Sequence, residues 1–218
     1  MFSFIVENKG KNDVSVTGTY MNIVHDACEM TGATVENVVM GQKPKDKESI
    51  VVSDTINASI KYFMKGYRNQ VVWMQGVTPE ESYMRNHSRA RLWVWNCLER
   101  YVLKHSKMLL MVSDEMLRHY ECKYNLSLKG KTIIMPCFNE LDVIESAFSQ
   151  IKYDSNTFAY VGSLHKWQCF EDTLRLYSII ESRAARKTKL FVYTFETEKA
   201  QEVISKLTAS LQVRPFEF

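Results

Sequence analysis

Apolar and polar positions along this chain switch repeatedly between two periods. Short apolar runs rich in β-branched and aromatic residues predict strands at Phe2 to Val6, Thr34 to Met40, Ile50 to Val52, Val71 to Met74, Lys107 to Val112 and Lys131 to Met135. Between them apolar residues return every three to four positions, the period of a helix. Tyr20, Ile23, Val24, Ala27, Cys28 and Met30 make the first such stripe, stopped by Gly32; Thr55 to Met64 makes a second, ended near Gly66. Thr78-Pro79-Glu80-Glu81 predicts the start of the longest helix, with Thr78 as cap, Pro79 at the first helical position and two carboxylates at the positive end of the dipole. That helix is expected to reach about His105, with a kink near His87 and Ser88. Ser113-Asp114 caps another, ending at Tyr124, and residues 140–156 are polar and strand-poor, reading as a linker. The alternation then restarts: strand Phe158 to Val161, helix Trp167 to Arg183, strand Lys189 to Thr194, helix Thr197 to Leu207, and a further strand near Leu211 to Val213. The expected fold is α/β, with a Rossmann-like parallel sheet over residues 1–150 and a partial second one over residues 151–218.

Composition narrows the possible partners. The 218 residues are 45% hydrophobic and 24% charged, which suits a folded soluble chain. A formal charge of +3 without a basic tract argues against nucleic acid. Five cysteines with no Cys-x-x-Cys pair indicate neither a disulfide framework nor a zinc site, so a reducing cytoplasm, with no metal or cofactor, is the expectation. No apolar run approaches the roughly 20 residues of a spanning helix. Resting on a membrane remains open: at 100° per residue Arg85, Arg89, Arg100 and Lys104 share about a third of the long helix with Trp93, a pattern that suits either solvent or anionic lipid.

Candidate chemistry gathers at two turns. In Phe158 to Tyr177, Gly162 and Ser163 break a strand from a helix, and such a turn aims unpaired N–H groups where phosphates bind, although an ordinary βα turn has the same sequence. Lys166 just beyond reads either as a phosphate ligand or as a solvated lysine. Glu80 and Glu81 read either as capping residues or as cleft carboxylates.

The order Val-Val-Trp-Met-Gln-Gly-Val-Thr-Pro-Glu-Glu (71–81), a helix carrying Glu99, Met-Leu-Leu-Met-Val-Ser-Asp-Glu-Met (108–116), Ile-Ile-Met-Pro-Cys-Phe-Asn (133–139) and Tyr-Val-Gly-Ser-Leu (160–164) resembles GT-B glycosyltransferases. It is most similar to the retaining group called family 4, which includes enzymes of bacterial capsule and surface-polysaccharide assembly. The resemblance implies an acceptor-side N-terminal domain and a C-terminal domain for a nucleotide-sugar donor, with the sugar in a cleft between them. It assigns Gly18 and Thr19 to a loop facing the donor phosphates, Gln75 and Gly76 to the transferred sugar, and Gly162 and Ser163 to the pyrophosphate. A glycan or polyprenyl-linked acceptor at the inner membrane face is implied with them. Two departures qualify the match. The Arg and Lys-Gly that clamp the diphosphate are replaced by Ser163, Gln168 and Cys169, and no helix reproduces the family's paired glutamates, so the donor half is expected to be incomplete. A rival expectation is therefore a GT-B-like binding module or partner subunit, whose unfinished sheet edge favours self-association. A dehydrogenase is disfavoured, because no Gly-x-Gly-x-x-Gly follows the first strand.

Overall fold

The central apolar runs become strands buried on both faces. In the computed structural model, which describes residues 1–6, 16–137, 145, 148–151 and 155–211, β1 (Phe2–Val6), β2 (Val35–Val39), β3 (Ile50–Ser53), β4 (Gln70–Met74), β5 (Met108–Met111) and β6 (Thr132–Ile134) form one sheet. Its order is β2-β1-β3-β4-β5-β6 and every pairing is parallel, with Phe2 beside both Val35 and Ile50, Val52 beside Val71, and Leu110 beside Ile133. The crossovers are α1 (Val16–Met30), α2 (Ile56–Met64), α3 (Thr78–Asn86), α4 (Arg89–His105) and α5 (Asp114–Tyr124).

Strand alternation sends successive side chains to opposite helix layers. Val72, Met74, Leu109 and Met111 pack with Ile56 and Phe63 of α2, Val102 and Leu103 of α4, and Leu117, Tyr120 and Tyr124 of α5. Trp73 and Leu110, one residue out of phase, pack instead on Tyr20 of α1. Gly32 and Gly66 close α1 and α2 with φ of 77° and 94°, a region costly for residues with a Cβ.

Two local expectations change. Val77, not Thr78, occupies the cap position before α3, without a side-chain cap; Thr78 lies inside the first turn beside Pro79, leaving Glu80 and Glu81 to meet the dipole. The long helix is two helices. His87 turns left-handed at φ 50° and closes α3 through its N–H to the Tyr83 carbonyl, and the Ser88 hydroxyl accepts from Arg91 N–H to open α4.

The chain divides into two compact units, Met1–Asn139 and Glu140–Phe218. In the second, β7 (Thr157–Val161) and β8 (Lys189–Tyr193) pair in parallel, with α6 (Phe170–Arg183) and α7 (Thr197–Leu211) over one face. Tyr160, Phe170, Leu174, Ala200, Ile204 and Leu207 form its core. Instead of a helix from Trp167, a 3-10 turn spans Lys166–Gln168 and left-handed Cys169 precedes α6. Leu211 ends α7 rather than starting a strand; residues 212 and 213 lie outside the described set. Among the described residues no helix is long and apolar enough to cross a membrane.

Candidate functional site

In an open parallel sheet the ligand crevice lies at the carboxyl ends of the strands, where the strand order reverses. Here α1 leads from β1 to β2 on one side and β3 lies on the other, so the reversal falls between β1 and β3. The residues just after β3 and β4 and the first turn of α1 meet there.

Gln75 follows the last residue of β4 and is exposed, yet held from both sides. The Thr17 hydroxyl donates to its Oε1 at 2.9 Å, and its Nε2 donates to the Asp54 carbonyl at 3.1 Å. The first turn of α1, with Gly18 buried and Thr19 half-buried, is thereby tied to the Gln75 loop. Two of the expected elements, the Gly18–Thr19 turn and the Gln75–Gly76 loop, therefore lie at the carboxyl end of one sheet. Thr17 and Asp54 were missed by sequence reasoning: Thr17 lay one residue before the quoted glycine, and the Asp54 contact uses a backbone carbonyl any residue supplies.

Gly76 is constrained by what covers it. Its carbonyl accepts from the Tyr120 hydroxyl at 2.7 Å, and a Cβ at this position would overlap the Glu81 carboxylate. Glu81 thus stays at the loop. Glu80, one residue earlier, points elsewhere: its Oε1 meets Lys123 Nζ at 2.6 Å, and Lys123 also reaches Glu99 Oε2 at 3.0 Å. Tyr124 donates to Glu99 Oε2 at 2.5 Å, and Glu99 is fully buried. Burial pushes the Glu99 carboxyl above the ordinary range, with the Tyr124 hydrogen bond and the Lys123 charge only partly opposing it. The polar cluster braces α3, α4 and α5 behind the Gly76 loop.

The second unit carries the other expected turn. Gly162 N–H donates to the Tyr193 carbonyl at 3.1 Å, extending the β7–β8 ladder, so it is not open to a pyrophosphate. Leu164 N–H donates to Glu196 Oε2 at 2.6 Å, and Lys199 pairs with Oε1 of the same carboxylate at 2.9 Å. The hydrogen bond from Leu164 holds the Glu196 carboxyl below its ordinary range, and Lys199 adds to it. A carboxylate thus occupies a donor expected for a ligand. The exposed Lys166 ammonium has no partner among the described residues, and Ser163 contributes its carbonyl to the Tyr160 hydroxyl at 2.6 Å.

Arg89, Trp93, Arg100 and Lys104 lie along the exposed face of α4, Trp93 at 69% exposure with Val94 beside it at 46%. Arg85 is on α3, so the helical wheel that joined it to them does not carry across His87. Trp95, Leu98 and Val102 turn to the core.

No protein-family model and no curated protein matches this chain.

Proposed function

We propose that this chain is a GT-B glycosyltransferase of the retaining family 4 kind. It moves a sugar from a nucleotide-sugar donor to a glycan or polyprenyl-linked acceptor in surface-polysaccharide assembly, in the cytoplasm at the inner membrane face. The observation that carries the reading is Gln75, an exposed amide fixed by Thr17 and Asp54 at the strand-order reversal. An amide held in advance orients a sugar hydroxyl without paying ordering entropy at the moment of reaction. The diphosphate leaves carrying negative charge, and Ser163 and Lys166 are the groups of the second-unit turn assigned to it, Lys166 as a point charge. Transfer on this reading uses protein groups, with neither metal nor cofactor. The α4 face of Arg89, Trp93, Arg100 and Lys104 rests on anionic lipid, cations toward the headgroups and the indole at the interface.

The test is transfer from a panel of nucleotide sugars by the purified chain. Gln75→Ala is expected to lower transfer about tenfold or more while leaving the melting temperature nearly unchanged, because the side chain is exposed. Wild-type rates in that variant would end the assignment.

One observation favours a second reading, a binding module without donor chemistry. Glu196 fills the Leu164 N–H and Gly162 N–H belongs to the sheet, so the turn keeps fewer donors for a diphosphate. Calorimetry separates the two: a module of this kind gives no heat with any nucleotide sugar.

A further inference from the structure

The break between α3 and α4 opens a cavity of about 270 Å³ lined by Thr78, Ser82, Arg85, Asn86, Arg91 and Trp95. Among the described residues two guanidinium groups and no carboxylate line it, a set whose field favours an anion. Arg91 lies in the first turn of the 17-residue α4, whose positive end adds to that field. Ser82 is only 4% exposed, yet its hydroxyl has no partner among the described residues, and neither has the Arg91 side chain. The Ser82 hydroxyl is thus free to meet a ligand at the cavity wall. Asn86 is fixed by its Nδ2 donating to the Ser82 carbonyl at 3.0 Å. Trp95 is half-buried, with one part in the core and another forming the cavity wall.

We infer that this cavity binds a phosphate ester, the phosphate between Arg85 and Arg91 and the esterified group against Trp95. Guanidinium forks match phosphate oxygens in pairs, and an indole face suits a sugar ring or a prenyl chain. The volume is sufficient for one phosphate and one ring. The inference deepens the glycosyltransferase reading by giving its acceptor an anionic group, and rests on that reading only for the word acceptor. The described residues that line the cavity, within 78–95, all belong to the first unit.

Calorimetry of the 218-residue chain with glucose 1-phosphate, glucose and UDP-glucose is the test, joined by flotation with phosphatidylcholine vesicles carrying phosphatidic acid or phosphatidylglycerol. A soluble sugar phosphate as occupant predicts binding of glucose 1-phosphate and not of glucose. A lipid phosphate predicts a preference for phosphatidic acid over phosphatidylglycerol in vesicles of matched surface charge, which the basic face of α4 alone would not produce. In either case Arg91→Gln and Arg85→Gln each weaken binding about tenfold, with unchanged near-ultraviolet circular dichroism. A chain that binds neither probe, or whose Arg91→Gln variant binds as well as the parent, overturns the inference. UDP-glucose separates the two claims: its failure to bind counts against the donor reading, while phosphate binding lost in Arg91→Gln still supports the cavity.

Discussion

Lys123 is one ammonium between two carboxylates, Glu80 and Glu99, with Tyr124, Asn96 and Tyr120 closing the cluster. Replacing it with Met leaves Glu99 buried without its cation, and should cost about 3 kcal/mol in urea unfolding. Glu99→Gln should do the opposite of what a lost ion pair suggests. The folded-state pKa of Glu99 is raised by burial, so its contribution to stability is full below the ordinary carboxylate range and is lost as pH rises through the folded value. An amide at this site removes that fall. Urea midpoints of the parent should decline as pH rises above the ordinary carboxylate range, relative to those of Glu99→Gln, with Glu80 still pairing Lys123; parallel midpoints would show that the carboxyl titrates normally. None of this was legible beforehand. Glu80 read either as a capping residue or as a cleft carboxylate, and Lys123, at the end of another helix, gave no local sign that the fold would bring it to Glu80 and Glu99.

At the scale of the element, the turn after β7 is the informative case. Its Gly-Ser sequence located the strand end correctly, but which N–H groups stay open depends on the neighbouring strand and on Glu196, 32 residues beyond Leu164. The Glu196 pKa is lowered, so its contribution to stability is present above the ordinary carboxylate range and lost as pH falls through the folded value. Glu196→Gln should flatten that acid-side loss, followed by circular dichroism during acid titration. The same variant weakens the hold on Leu164 N–H, and should raise affinity for inorganic pyrophosphate if the turn is a phosphate site; unchanged affinity would remove Leu164 from it. Helix positions were more readable than helix continuity. Apolar spacing ran on through His87 because periodicity carries no term for a left-handed residue, while Ser88, a good cap in sequence, was enough to start a new helix.

Across the whole molecule, the first unit is a sheet covered on both faces, whereas β7 and β8 are a pair with one ladder between them among the described residues. Val161, Phe191 and Tyr193 lie exposed on the face opposite Tyr160 and Val192, and each of these two strands keeps an edge without a described partner. Such edges pair readily with a second copy. Sedimentation velocity should therefore show association that grows with concentration and is reduced by Tyr193→Lys; a monomer at all concentrations would argue that this edge is covered.

The chain by itself determined the α/β alternation, the parallel sheet and nearly every strand, because burial on two faces demands continuous apolar runs and helices demand their own period. It also marked Gln75 and Gly162 as residues at strand ends. Only the tertiary structure decided their partners: Thr17 and Asp54 for one, Tyr193 for the other. It likewise decided that Arg85 and Arg91 share a cavity while Arg85 leaves the face of Arg89 and Trp93. Hydrophobic period is a local property written in neighbouring residues, whereas a polar contact depends on which distant elements the packed core holds together.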